Sequence, residues 1–239
     1  MKINATLATG LTMQCDSAEC KQTVVYSPLE QDNSVVEFSC NDASFTCAWS
    51  LTYAPSGFST NVKYNCDATY SCYNVKLYDS IGNGYETNEL SLELDCSNTF
   101  SCQRMDIQVT SINYTDISCT NGNACRTLSV WSSIGLGKLD LECDNSNACS
   151  SATIGITEEA DFDSINLDCL HPDAANTCPS VNIYTNNGSV IHTNITFIHM
   201  SIYKNYINIY CHNLIMVLYH IYLQVLNKWK LLYIQNFIQ

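Results

Sequence analysis

The sequence predicts an all-β fold, a right-handed parallel β-helix (β-solenoid) of about seven coils of about 25 residues each. Three observations predict it. Cysteine pairs recur at a nearly fixed period, an alternating apolar strand precedes each pair, and a second alternating strand follows it.

The pairs set the period. "CSNTFSC" (96–102), "CTNGNAC" (119–125) and "CDNSNAC" (143–149) share one spacing. The first cysteines along the chain are Cys15, Cys40, Cys66, Cys96, Cys119, Cys143 and Cys169, in steps of 23 to 30 residues. Their partners in the pattern are Cys20, Cys47, Cys72, Cys102, Cys125, Cys149 and Cys178. Self-similarity of this length marks stacked units, each unable to bury its apolar face alone.

The strand before each pair reads "VVEFSC", "NVKYNC", "LELDC", "TDISC", "LDLEC" and "INLDC". Two residues before the cysteine stand Phe38, Tyr64, Leu94, Ile117, Leu141 and Leu167, with polar residues between the apolar ones. Period two with one apolar face is a half-buried strand. After the second cysteine, Val75/Leu77, Met105/Ile107, Leu128/Val130, Ala152/Ile154 and Val181/Ile183 give a second inward face. Ser-, Asn- and Gly-rich pieces, "SIGNG", "SSIGLG" and "TNNGS", are expected turns between the strands. Equivalent strands then pair in parallel about 4.8 Å apart, and the preference of parallel crossovers gives the right hand. Leu11 and Met13 occupy the inward positions before Cys15, and "INATLA" (3–8) fits a preceding strand. The chain is therefore expected to start inside a coil, with a signal peptide upstream, since its first residues lack an apolar run of 7–15.

The cysteines leave three pairings open. Bridges within a repeat need α-carbons about 4.4–6.8 Å apart, which six residues in a bent corner allow. A ladder between stacked coils meets the same limits, and reduced cysteines would serve as small core residues. Within-repeat bridges are the expectation, each adding ~2–3 kcal/mol. The five-residue spacers do not suit zinc, and fifteen cysteines point to an oxidising compartment.

Charge adds a second theme. The net charge is −13; residues 1–173 hold all 23 acids and seven of the ten bases (7 − 23 = −16). That excludes a nucleic-acid surface and suits a basic protein surface or a glycan as partner. Outward positions of the strand before each pair form two columns. One is Glu37, Lys63, Glu93, Asp116, Asp140 and Asn166; the other is Ser39, Asn65, Asp95, Ser118, Glu142 and Asp168. Glu93, Asp95, Asp116, Asp140 and Glu142 are the candidate ligand-face residues. Oxygen clusters suit calcium, but an acidic strand face is also an ordinary solvated surface that discourages sheet association. No metal or other cofactor is expected. The rival reading is a β-helix carbohydrate-active enzyme, a lyase or hydrolase. Arg104 and Arg126 lie off the acidic columns, however, and no long loops wall a cleft. The five histidines are scattered and accompany no nucleophile motif.

Sequons occur at Asn4, Asn113, Asn187 and Asn194, of which the last three are glycosylation candidates. The solenoid is expected over residues 1–198. Residues 199–239 form an Ile/Tyr/Asn/Lys-rich tail without acids, Gly or Pro. Its uncharged stretch 205–227, followed by "KWK", is long enough to span a membrane. Asn208, His212, Asn213 and His220 are costly there. An alternative source of the tail is translated A/T-rich non-coding sequence.

The corners, "(Phe/Tyr/Asn)-(Ser/Thr/Ala)-Cys", resemble the cysteine-rich β-helix repeats of predicted secreted or surface proteins of single-celled eukaryotes. The resemblance spans residues 11–197 and implies a fold and a location, not a catalytic residue. The expected function is a non-enzymatic extracellular or cell-surface scaffold that presents an acidic solenoid face.

Overall fold

The computed structural model describes residues 1–5, 9–27, 33–54, 60–78, 90–145, 147–156, 162–169, 181–184, 190–193, 198–203 and 206–210. It is a β-solenoid whose repeating strands stack in parallel, coil upon coil.

Seven strands build the first sheet, each ending at the first cysteine of a pair. They are β2 (Gly10–Cys15), β4 (Val35–Cys40), β6 (Thr60–Cys66), β8 (Leu90–Cys96), the C-terminal parts of β9 (Asp106–Cys119) and β10 (Ser129–Cys143), and β12 (Phe162–Cys169). Every neighbouring pair is parallel. Cysteine pairs with cysteine along the stack, Cys15–Cys40–Cys66–Cys96–Cys119–Cys143, so the expected register holds at each step.

The second sheet follows the corners. It contains β1 (Lys2–Asn4), β3 (Val24–Tyr26), β5 (Leu51–Tyr53), β7 (Lys76–Tyr78), the N-terminal parts of β9 and β10, β11 (Thr153–Ile156) and β13 (Val181–Tyr184). These also pair in parallel. Lys2–Asn4 lies in this sheet, one strand before β3; residues 6–8 of "INATLA" lie outside the described residues.

Inward residues of both sheets meet in one core. Val36, Val62, Leu92, Thr115 and Leu139 form one buried column, and Phe38, Tyr64, Leu94, Ile117 and Leu141 another. From the ends of the corners and the second-sheet strands that follow come Val75/Leu77, Met105/Ile107, Leu128/Val130 and Ala152/Ile154, all fully buried. The first two coils depart from this apolar pattern. Thr23, Ser50 and Thr52 take the equivalent inward places and are buried as well.

One expectation fails here. "SSIGLG" is not a turn: β10 runs unbroken from Ser129 to Cys143, with a register shift between Ser132 and Gly135. Gly137 explains part of this. A Cβ there would collide with the backbone carbonyl of Asn113 on β9, so glycine allows a close approach of strands rather than a chain reversal. "SIGNG" and "TNNGS" lie outside the described residues.

Among the described residues, six corners close with disulfides inside their own repeat. Cys15–Cys20, Cys40–Cys47, Cys66–Cys72, Cys96–Cys102, Cys119–Cys125 and Cys143–Cys149 are bonded, with Cα–Cα distances of 5.7–5.9 Å. Cys178 lies outside the described residues. Such density of disulfides is typical of proteins from oxidising compartments. Left-handed backbone makes the corner tight. Two residues before the second cysteine, Phe45, Tyr70, Phe100, Asn123 and Asn147 have φ of 57–63°. Two residues after it, Gln22, Trp49, Asn74, Arg104, Thr127 and Ser151 have φ of 56–60°. An asparagine ladder braces the corner: Asn98 Oδ1 accepts from Thr69 Oγ1 at 3.2 Å, and Asn121 Oδ1 accepts from Thr99 Oγ1 at 3.3 Å.

The parallel order ends after β13. β14 (Val190–Thr193) pairs with it antiparallel, and β15 (Ile198–Tyr203) pairs antiparallel with β12. β16 (Tyr206–Tyr210) then pairs antiparallel with β15. The start of the tail is therefore a hairpin laid on the last strand of the first sheet. Residues 211–239 lie outside the described residues, and among the described ones no helix is long and apolar enough to cross a membrane.

Candidate functional site

Parallel register decides what the outer face of the first sheet presents. Glu37, Lys63, Glu93, Asp116, Asp140 and Asn166 are successive partners from β4 to β12. Beside them run Ser39, Asn65, Asp95, Ser118, Glu142 and Asp168. Both columns thus exist as the sequence indicated. Like charges one strand spacing apart repel by about 1 kcal/mol even in bulk water, so the face needs compensation.

Most of the compensation comes from a third column that the sequence reading did not single out: Val35, Asn61, Ser91, Tyr114, Lys138 and Ser164. Glu93 pairs with Lys63 at 3.3 Å and accepts from Asn61 Nδ2 at 3.3 Å. Glu37 accepts from Asn65 Nδ2 at 3.1 Å. Asp140 pairs with Lys138 at 2.6 Å. The Tyr114 hydroxyl lies 3.3 Å from a carboxylate oxygen of Asp116 and 3.3 Å from one of Asp140. Burial and then these two carboxylates push the Tyr114 phenol up to about 12, so it stays a donor at neutral pH. Glu142 and most of the Asp95 side chain are exposed. Partial burial of the Asp95 carboxyl, followed by the Asp67 carboxylate, raises it above the usual range, and Lys63 opposes the shift.

The face is a ladder of carboxylates, several held by donors of the same sheet. Among the described residues, one group of three or more metal-type ligand atoms lies within 4.8 Å: the sulfurs of Cys96, Cys119 and Cys125. All three are in disulfides, so no thiolate remains to bind a metal. Asn113 is exposed on β9, while Asn187 and Asn194 lie outside the described residues.

Aromatic residues form two further surface features. At the corner, Trp49, Phe45, Tyr70 and Phe100 stack in series with centroid distances of 5.5, 4.9 and 5.0 Å. Tyr73 meets this stack edge-on, and its hydroxyl accepts from an Arg104 guanidinium nitrogen at 2.9 Å. The Lys21 ammonium lies 4.6 Å from the Trp49 ring centroid. Bulky residues pay for left-handed backbone with roughly 1–2 kcal/mol each, and ring stacking returns about 0.5–1.5 kcal/mol per pair. On the second sheet, Tyr26, Tyr53, Tyr78, Gln108, Trp131, Gly155 and Tyr184 are successive outward partners. The repeat motif showed the aromatic corner residues but not their stacking, which depends on contacts between coils.

No family model, no curated protein and no solved structure matches the chain.

Proposed function

We propose that this chain is a non-enzymatic extracellular or cell-surface scaffold that presents the acidic face of its first sheet to partners. One observation carries the reading: the two outward columns stay in register from β4 to β12. A rigid array at strand spacing offers repeated contacts to an extended partner, and its charge favours a basic protein surface. Disulfides that bracket each corner suit a protein that works in an oxidising compartment.

Immobilised poly-lysine tests the face. The protein should bind it in a salt-sensitive way. Changing Glu93, Asp95, Asp116, Asp140 and Glu142 together to Gln or Asn should remove most of that binding. Binding that survives the change would reject the acidic face as the contact surface.

A second reading draws on the Tyr114 hydroxyl, which holds Asp116 and Asp140 on one side of the sheet. Paired carboxylates are the working parts of glycoside hydrolases. Neutral and acidic polysaccharides incubated with the protein should yield no new reducing or unsaturated ends. Turnover that disappears in Asp116→Asn would replace the scaffold by an enzyme.

A further inference from the structure

We propose that Trp131, Gly155 and Tyr184 form a platform that binds a sugar ring of a neutral polysaccharide. The three are successive outward partners on β10, β11 and β13. Gly155 is the missing side chain between two rings. A Cβ there would lie 2.5 Å from Cζ3 and 2.9 Å from Cε3 of Trp131, and 3.0 Å from Cβ of Tyr184. The indole thus occupies the space over β11 that any other residue would fill. It reaches Tyr184 across that strand, with ring centroids 5.3 Å apart and planes tilted by 33°. Gly155 is buried beneath it, while both aromatic residues remain half-buried.

The same column shows the other arrangement. Tyr26 and Tyr53, on adjacent strands, stack at 5.1 Å with planes 22° apart, so each covers a face of the other. At Trp131 the next residue in the column is a glycine, so the indole spreads over β11 to reach Tyr184 two strands away.

The surroundings select the ligand by charge. The adjoining column is Ser129, Thr153 and Asn182, and Gln108 precedes Trp131 in its own column. Asp106, the partner of Ser129 one strand earlier, is the charged residue of this surround; its carboxylate accepts from Gln108 Nε2, in a chain of net charge −13. An anionic chain would be repelled by the molecule as a whole, and a cationic one would be drawn to the first sheet. A neutral, hydroxyl-rich ring with an apolar face complements an aromatic plane fringed by hydroxyls and amides. This site lies on the second sheet and goes beyond the acidic face of the scaffold reading.

Native gels containing hydroxyethylcellulose, galactomannan or xylan test the platform, with polygalacturonate as the acidic counterpart. At least one neutral polymer should retard the protein. Trp131→Ala should weaken that retention about tenfold, the equivalent of 1.4 kcal/mol. Gly155→Ala keeps the indole but fills its seat, and should weaken retention as well. Tyr53→Ala, on the same column but away from the platform, should leave it intact. Thermal melting reports folding; if Trp131→Ala does not fold, Tyr184→Ala takes its place with the same expected loss. Retardation by no neutral polymer, by polygalacturonate alone, or to an equal extent in Trp131→Ala and Gly155→Ala would overturn the site while leaving the scaffold reading in place. Cleavage of the polymer, with retention still dependent on Trp131, would uphold the site and overturn the scaffold reading.

Discussion

The Tyr64 hydroxyl donates to Oγ1 of Thr52 at 2.7 Å across the interior, tying the first sheet to the second. Both residues are fully buried. Phe38 stacks on Tyr64 with ring centroids 4.6 Å apart and planes within 7°. The hydrogen bond explains why a polar residue fills an inward place that later coils give to Leu77, Ile107 and Val130.

Thr52→Val should therefore cost about 1–3 kcal/mol, because it leaves a buried hydroxyl without an acceptor. Tyr64→Phe together with Thr52→Val should be closer to wild type than Thr52→Val alone. Denaturant unfolding of the two single variants and the double variant measures the coupling. Additive losses would mean that the pair does not act as a unit.

Asp95 supplies a pH test of the acidic face. Its carboxyl is raised by partial burial and by Asp67, so the folded state holds the proton to higher pH than the unfolded chain does. Its favourable contribution is complete below the unfolded value of about 4 and is lost as pH rises through the folded one. Asp95→Asn should accordingly raise the melting temperature slightly near neutral pH and leave it unchanged near pH ~3. A fall at neutral pH would show that the charge is stabilised rather than penalised.

Calcium and simple salt separate two kinds of acidic face. A ladder at strand spacing with protein donors already in place does not supply six to eight free oxygens around one ion. Sodium chloride at matched ionic strength should raise the melting temperature as much as calcium does. A saturable response to micromolar calcium, lost when the five acids are neutralised, would instead identify a cation site.

Leu141 probes the stack itself. It is buried on β10 between Ile117 and Leu167 of the flanking strands. Leu141→Asp brings an unpaired charge into that column and should unfold the neighbouring coils, with a loss of several kcal/mol. Unchanged thermal stability would contradict the inward assignment.

Much of this architecture is legible in the sequence because cysteine spacing and alternation repeat together. The columns from Glu37 to Asn166 follow once strands pair in register, since a one-residue slip would move every apolar residue outward. The second-sheet strands around Val25 and Thr52 are harder to read. Thr23, Ser50 and Thr52 break the apolar alternation, and Thr52 becomes a good core residue only through Tyr64 of the other sheet. "SSIGLG" has the composition of a turn, yet Gly137 serves a close strand approach that composition does not show. The acidic columns are visible, but relief of Glu93 by Asn61 and of Asp140 by Tyr114 depends on contacts between coils, while Lys138 reaches Asp140 two positions along its own strand. The Trp131 platform likewise needs Gly155 and Tyr184, which are 24 and 53 positions away in sequence.

The most direct test of the account is disulfide mapping without reduction. Trypsin cuts after Lys76, Arg104 and Arg126, so residues 77–104 carry Cys96 and Cys102, and residues 105–126 carry Cys119 and Cys125. Coils closed at their own corners predict two separate peptides, each with an internal bridge. Recovery of the two peptides as one species, joined through Cys96 and Cys119, would contradict the account, as would free thiols at these four positions.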